Sequence, residues 1–158
     1  MIEPKGIVHF TMPVSDVVRS ERFYCDVLGL KVVQRVPSIG MVFLQAGSDY
    51  VILCRSKTPI DPNPGKEIMV HHAFRIDVGA YDKSLAELRT KGVEILFEED
   101  RHDGVFQGKQ AYFHDPDRNV IELVALTRIG QGYGVAGRPE KENPFVNKPP
   151  RGCRQGAA

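Results

Sequence analysis

The sequence predicts an α+β fold built as two consecutive βαβββ modules. Two observations carry that expectation. A strand running into a capped helix occurs twice, at His9-Phe10-Thr11-Met12-Pro13-Val14-Ser15-Asp16 and at His71-His72-Ala73-Phe74-Arg75-Ile76-Asp77. Each copy starts with a His, places apolar residues three and five positions later, and supplies Ser or Asp six positions later, where a helix can start. Each predicted helix is then followed by three short runs with strand character, set apart by turn-forming segments.

In the first module Ile7 to Val14 alternates as a strand, and Ser15-Asp16 caps a helix that reaches about Leu28, where Gly29 supplies a left-handed stop. Strands follow at Lys31 to Val36, Met41 to Ala46 and Tyr50 to Cys54, separated by Pro37-Ser38-Ile39-Gly40 and Gly47-Ser48-Asp49. Ser56 to Lys66, with three prolines, reads as a linker. Ile68 to Asp77 is the fifth strand, and Tyr81 to Lys91 a helix closed by Gly92. Val93 to Phe97, Lys109 to His114 and Arg118 to Ala125 complete the second module.

At 158 residues, 42% hydrophobic and 26% charged, the chain suits one globular domain with its own core. A net charge of +1 gives no field for nucleic acid, and no apolar run approaches the roughly 18 residues that a membrane span needs. The start, Met1-Ile2-Glu3-Pro4-Lys5, lacks a basic-then-apolar signal, and the three cysteines (Cys25, Cys54, Cys153) are unpatterned, so a cytoplasmic location is expected.

Residues two apart on a strand share a face. In the first strand Phe10, Met12 and Val14 suit packing under a helix, leaving His9, Thr11 and Pro13 on the other side. In the fifth strand Phe74 and Ile76 match the helix side, which turns His71, Ala73 and Arg75 away from it; His71 rather than His72 is therefore the candidate ligand. In the last strand Ile121, Leu123 and Ala125 pack, and Glu122 turns to the side shared with the two histidines. A carboxylate on a buried strand needs a cation, a hydrogen-bond network or exposure, and two His with one carboxylate are the protein's share of an open metal site. The expected ligands are His9, His71 and Glu122.

These residues resemble the vicinal oxygen chelate superfamily of glyoxalases, bleomycin-resistance and fosfomycin-resistance proteins, methylmalonyl-CoA epimerases and extradiol ring-cleavage dioxygenases. The resemblance spans about residues 6 to 127. It rests on His9 through Asp16, Arg22-Phe23-Tyr24-Cys25-Asp26-Val27-Leu28-Gly29-Leu30, His71 through Asp77, and Phe113-His114-Asp115-Pro116-Asp117-Arg118-Asn119-Val120-Ile121-Glu122-Leu123. It implies paired βαβββ modules (about 6–56 and 68–127, in one domain of residues 1–127) that form a cupped, barrel-like mixed sheet with helices on the outer face. It also implies a divalent metal on His9, His71 and Glu122, with Fe(II) or Mn(II) preferred over Ni or Zn, and a homodimer.

The fold does not name the reaction. Aligning Tyr50-Val51-Ile52-Leu53 with Val120-Ile121-Glu122-Leu123 puts Ile52 where a second carboxylate would stand, which disfavours a simple glyoxalase I. Three protein ligands leave positions for a chelating substrate and a second molecule, and the ring-cleavage pattern places a Tyr ten residues before the ligand Glu, as Tyr112 is. Extradiol-type dioxygenation is the first expectation, with Tyr112 and His114 catalytic and Thr11, Arg75 and Gln110 binding substrate. That pattern also wants a His slightly nearer Tyr112 than His102 and a Gly where Arg118 stands. The alternatives are a glyoxalase-like lyase or isomerase, a fosfomycin-resistance-like thiol transferase, and a metal-free ligand-binding protein of the bleomycin-resistance kind. Residues 128–158, rich in Gly, Pro, Arg and Lys, are expected to form a tail in which Tyr133 and Phe145 are the anchors if it docks.

Overall fold

The computed structural model describes residues 2–4, 6–64 and 68–130; the tail anchors Tyr133 and Phe145 lie outside the described residues. The fold is α+β. The first module runs β1 (His9–Val14), α1 (Val17–Arg22) with a wider π-helical turn (Phe23–Val27), β2 (Lys31–Val36), β3 (Met41–Ala46) and β4 (Asp49–Arg55). The second runs β5 (His71–Arg75), α2 (Tyr81–Thr90), β6 (Ile95–Arg101), β7 (Phe106–His114) and β8 (Val120–Ile129). Among the described residues no helix is long and apolar enough to cross a membrane.

Each module closes its own sheet. The orders are β1-β4-β3-β2 and β5-β8-β7-β6, two open, cupped sheets rather than one closed barrel. In each, the first strand lies parallel to the last and the other pairs are antiparallel. The internal repeat holds at the level of register: His9 pairs with Tyr50 and Thr11 with Ile52, as His71 pairs with Val120 and Ala73 with Glu122.

Local chemistry explains the element ends. The Asp16 carboxylate accepts from the backbone N–H groups of Val18 and Arg19 at 2.9 and 3.1 Å, which caps α1. The segment expected as one helix to Leu28 is six residues of α-helix followed by the π turn, which places Tyr24 in full burial and brings Phe23 to 6.4 Å from Phe113. Strand β6 begins and ends later than expected because its charged run, Glu98-Glu99-Asp100-Arg101, pairs with β7 while its side chains make surface ion pairs such as Arg89–Glu98. Strand β8 runs past Ala125 to Ile129, which pairs with Phe106.

The helix-side faces of both sheets share a core. Met12, Val14, Leu44 and Leu53 from the first sheet join Tyr24, Phe113, Ile121 and Leu123 in one cluster, and Tyr81, Leu85, Ala111 and Ala125 form a second under α2. Removing a methylene-rich side chain from such a core costs about 2–5 kcal/mol. The opposite faces of the two sheets both point out of this core.

The turn Asp115-Pro116-Asp117-Arg118-Asn119 fastens the second module to the first. Asp117 accepts from Ser15 Oγ at 2.5 Å, Arg19 Nη2 at 2.6 Å and Ser20 Oγ at 3.1 Å. The Tyr24 hydroxyl donates to Asp115 at 2.9 Å, and Asn119 Nδ2 donates to the Pro13 carbonyl at 3.1 Å. Within the turn Arg118 takes a left-handed φ of 65°, the one positive value at a non-glycine among the described residues. Burial alone would raise the Asp117 carboxyl, but the hydrogen bonds from Ser15, Arg19 and Ser20 outweigh it and hold the group below the usual carboxylate value.

Two outcomes follow from these contacts. A depressed native carboxyl stabilises the fold above the ordinary carboxylate range and loses that contribution as pH falls through the native value. Asp117→Asn is therefore expected to cost about 1–3 kcal/mol at neutral pH, and its deficit against the wild type should shrink on acidification, as read by denaturant melts across the acid range. Gly108, with φ of 133° at the β7/β8 irregularity, leaves only 2.1 Å between an added Cβ and the Ala125 carbonyl oxygen. Gly108→Ala should cost about 2–3 kcal/mol of stability in the same melts.

Candidate metal centre

Three rows of side chains cross the outward face of the second sheet. The register aligns His71, Val120 and His114 in the first row, Ala73, Glu122 and Tyr112 in the second, and Arg75, Val124 and Gln110 in the third. Neighbouring strands lie about 4.8 Å apart, so members of one row are side-chain neighbours. The short Ala73 beside Glu122 leaves the space into which His71 leans from the row before.

His71 and Glu122 meet directly, Nε2 to Oε2 at 3.1 Å. The other ring nitrogen, Nδ1, lies 2.8 Å from the Ile68 carbonyl oxygen. A carbonyl only accepts, so Nδ1 carries a proton; in the charged ring Nε2–H donates to Glu122, and in the neutral ring Nε2 has a lone pair free for a cation. The hydrogen bond to Glu122 is the main cause that raises His71 above the ordinary histidine value, against the opposing effect of burial. Glu122 is 5% exposed. The Tyr112 ring stands edge-on to His71 with centroids 5.6 Å apart, and Phe97 packs on its other side at 6.0 Å. Burial, then the Glu122 charge, push the Tyr112 phenol well above the usual tyrosine range.

The remaining candidates are placed less uniformly. His114 is half-buried in the row of His71 but two strands away, and burial lowers it from the ordinary histidine value. Arg75 is exposed at the rim. Gln110 is buried, with both ends of its amide hydrogen-bonded inside the protein. His9 and Thr11 are exposed on β1, at the edge of the first sheet, in rows with Tyr50 and Gln45 and with Ile52 and Phe43. Thus Ile52 and Phe43 occupy the places that Glu122 and Tyr112 hold in the second sheet. Among the described residues no group of three or more His, Cys, Asp or Glu stands close enough to hold a metal ion, so one chain brings His71 and Glu122 together and leaves His9 apart. His72 lies on the opposite face with its ring 5.6 Å from Phe10, and His102 is exposed beside Asp100. Lys109 pairs with Asp82 at 3.0 Å.

The pair fits two ligands of one ion. Donors bound at about 2.1 Å and at right angles on a divalent metal stand about 3.0 Å apart, close to the observed separation. The contacts that the sequence did not disclose are the Ile68 carbonyl and Phe97, since both depend on where the β5 approach and β6 pass in space.

The sequence profile of the Glyoxalase/Bleomycin resistance protein/Dioxygenase superfamily matches residues 6–123. The chain belongs to that superfamily. The metallothiol transferase FosB of Staphylococcus saprophyticus is 32% identical over 119 residues, which cover 75% of this chain and 76% of FosB. An integron cassette protein from the mobile metagenome of the Halifax Harbour sewage outfall superposes with a TM-score of 0.67 at 22% identity, over 78% of this chain and all (100%) of the other. The fosfomycin resistance protein FosX of Listeria monocytogenes, complexed with Mn(II) and 1S,2S-dihydroxypropylphosphonic acid, gives a TM-score of 0.65 at 22% identity over 79% and 93% of the two chains. At these identities the two structures show a shared fold. In this member of the superfamily, the carboxylate and imidazole side by side are both on the second sheet.

Because Glu122 is what raises His71, Glu122→Gln should bring the His71 titration down toward the ordinary histidine value in metal-free protein. Histidine-ring NMR titration measures this, and an unmoved His71 would show that the 3.1 Å contact is not the controlling one.

Proposed function

We propose that the chain is a cytoplasmic, homodimeric, divalent-metal-dependent enzyme that binds two neighbouring oxygens of a small organic substrate. His71 and Glu122 of one copy and His9 of a second copy are the metal ligands in this reading. The observation that carries it is the contact between the accessible His71 imidazole and the buried Glu122 carboxylate, with the imidazole tautomer preset by the Ile68 carbonyl. A second copy accounts for His9, which lies exposed on the edge strand of the first sheet in a row with Tyr50 and Gln45. The donor set suits Mn(II) or Fe(II), with Ni or Zn as competitors.

The reaction class that the relatives favour is thiol transfer, since a metallothiol transferase, FosB, is 32% identical. When bound, the metal supplies Lewis-acid stabilisation of negative charge on substrate oxygen. The chain's own groups do the rest. Arg75, at the rim two rows from His71, receives an anionic end such as a phosphonate. Tyr112 directs its phenol at the same oxygens, and His114, kept neutral by burial, exchanges a proton with the leaving or attacking group. In this reading the first sheet that brings His9 belongs to the second copy, and its Thr11, Ile52 and Phe43, which share the outward face of His9, line the far wall, where two apolar side chains restrict water. Extradiol dioxygenation is the second reading. Its pattern wants a His nearer Tyr112, and His102 is exposed just past the end of β6.

Metal content after anaerobic purification without chelators is the first test. Near one equivalent per chain that supports loss of a free thiol in the presence of a small phosphonate establishes the reading, and iron with catechol turnover establishes the second. Glu122→Gln should stay folded and lose at least about tenfold in metal affinity. His9→Ala should lose metal as well. Mixing the His9→Ala and Glu122→Gln chains should restore metal binding, because one mixed site then carries all three ligands; no recovery on mixing would show that His9 is not supplied by a second copy.

A further inference from the structure

Gln110 is 1% exposed, yet it carries an amide where an apolar side chain would fill the space with no polar group to satisfy. Its Nε2 donates to the Phe106 carbonyl at 3.1 Å, and its Oε1 accepts from the Tyr112 hydroxyl at 3.1 Å. Turning the amide over would set Oε1 against the Phe106 carbonyl oxygen, two acceptors face to face, so the carbonyl end stays toward Tyr112. Tyr112 is the direct cross-strand partner of Glu122, so its hydroxyl has that carboxylate as a neighbour and a competing acceptor. One phenolic proton therefore has two acceptors.

We propose that Gln110 is a positioning residue: its fixed carbonyl draws the Tyr112 proton away from Glu122, which leaves the carboxylate oxygens free for a cation and turns the phenol's lone pairs toward what the cation binds. The sequence had suggested that Gln110 touches substrate; a fully engaged, buried amide acts instead through Tyr112. The proton moves between two acceptors and no bond to carbon changes. The inference rests on the reading of the face as a metal centre, and the test separates the two.

Tyrosine labelled with carbon-13 at Cζ reports whether a phenol donates or accepts. The Tyr112 resonance is assigned by its loss in Tyr112→Phe. In metal-free protein, Gln110→Leu should shift this resonance, because the proton then goes to Glu122. The same variant should bind Mn(II) about tenfold more weakly than wild type. Adding Tyr112→Phe to Gln110→Leu should return the affinity to that of Tyr112→Phe alone, since no proton remains to occupy the carboxylate. An unmoved resonance, or a double variant as weak as Gln110→Leu, overturns the positioning role and assigns Gln110 to packing. Wild-type protein that takes up no Mn(II) overturns the metal reading of the face, while the resonance in the metal-free protein decides the placement of the proton by itself.

Discussion

The register between β5, β8 and β7 is the constraint on which the candidate site depends. Ile121 and Phe113 are fully buried and Leu123 is 4% exposed, all within the shared core, and they lock the three strands. A slip of one residue would turn these apolar side chains outward and drive Glu122 into the core. Burying that carboxylate among Met12, Tyr24 and Leu53 without a partner would cost several kcal/mol, on the order of the whole stability of a small domain. The hydrophobic pattern thus does more than hold the sheet together. By fixing which residues go in, it fixes that His71, Glu122 and Tyr112 come out together.

The same turn that joins the modules also starts the strand that carries Glu122. Asn119, hydrogen-bonded to the Pro13 carbonyl, is followed directly by Val120 at the head of β8. Asp115 and Asp117 engage Tyr24, Ser15, Arg19 and Ser20 around α1. Burial raises the Asp115 carboxyl, while hydrogen bonds keep Asp117 low, so two acids two residues apart respond to acid in opposite senses. A disturbance in the first module's helix therefore reaches, through Asp117, a turn five residues before Glu122. Arg118, in left-handed backbone, adds about 1–2 kcal/mol of local cost that the surrounding hydrogen bonds offset.

Much of this was legible in the chain. Alternation assigned Met12 and Val14 inward and His71 and Glu122 outward, because a two-residue period is a local property of an extended backbone. Gly29 and Gly92 marked helix ends because both need positive φ there. Strand β6 was placed too early because Glu98 to Arg101 looks like a loop by composition; its pairing with β7 is a tertiary fact that overrides propensity. Gln110 illustrates a different limit. Face periodicity put it correctly beside Tyr112, but its engagement with the Phe106 carbonyl follows from the irregular β7 start at Gly108, which no periodicity reports.

Placing His9 on the same face type as His71 was also a matter of alternation, whereas its distance from Glu122 is a matter of how the modules are arranged. Duplication of a βαβββ unit makes two equivalent outward faces, and their side chains have diverged. Where the second sheet has Ala73, Glu122 and Tyr112 in a row, the first has Thr11, Ile52 and Phe43. The ionisable row requires a fixed neighbour at every step, since Glu122 relies on His71 and Tyr112 relies on Gln110. The apolar row has no such dependence, and by alternation with Val51 and Leu53 the Ile52 side chain faces away from the shared core. Changes at Ile52 or Phe43 therefore alter the outward face of the first sheet without touching the hydrogen bonds around Glu122. Within one fold, the second sheet's outward row is held by its polar neighbours, while the first sheet's equivalent row is not.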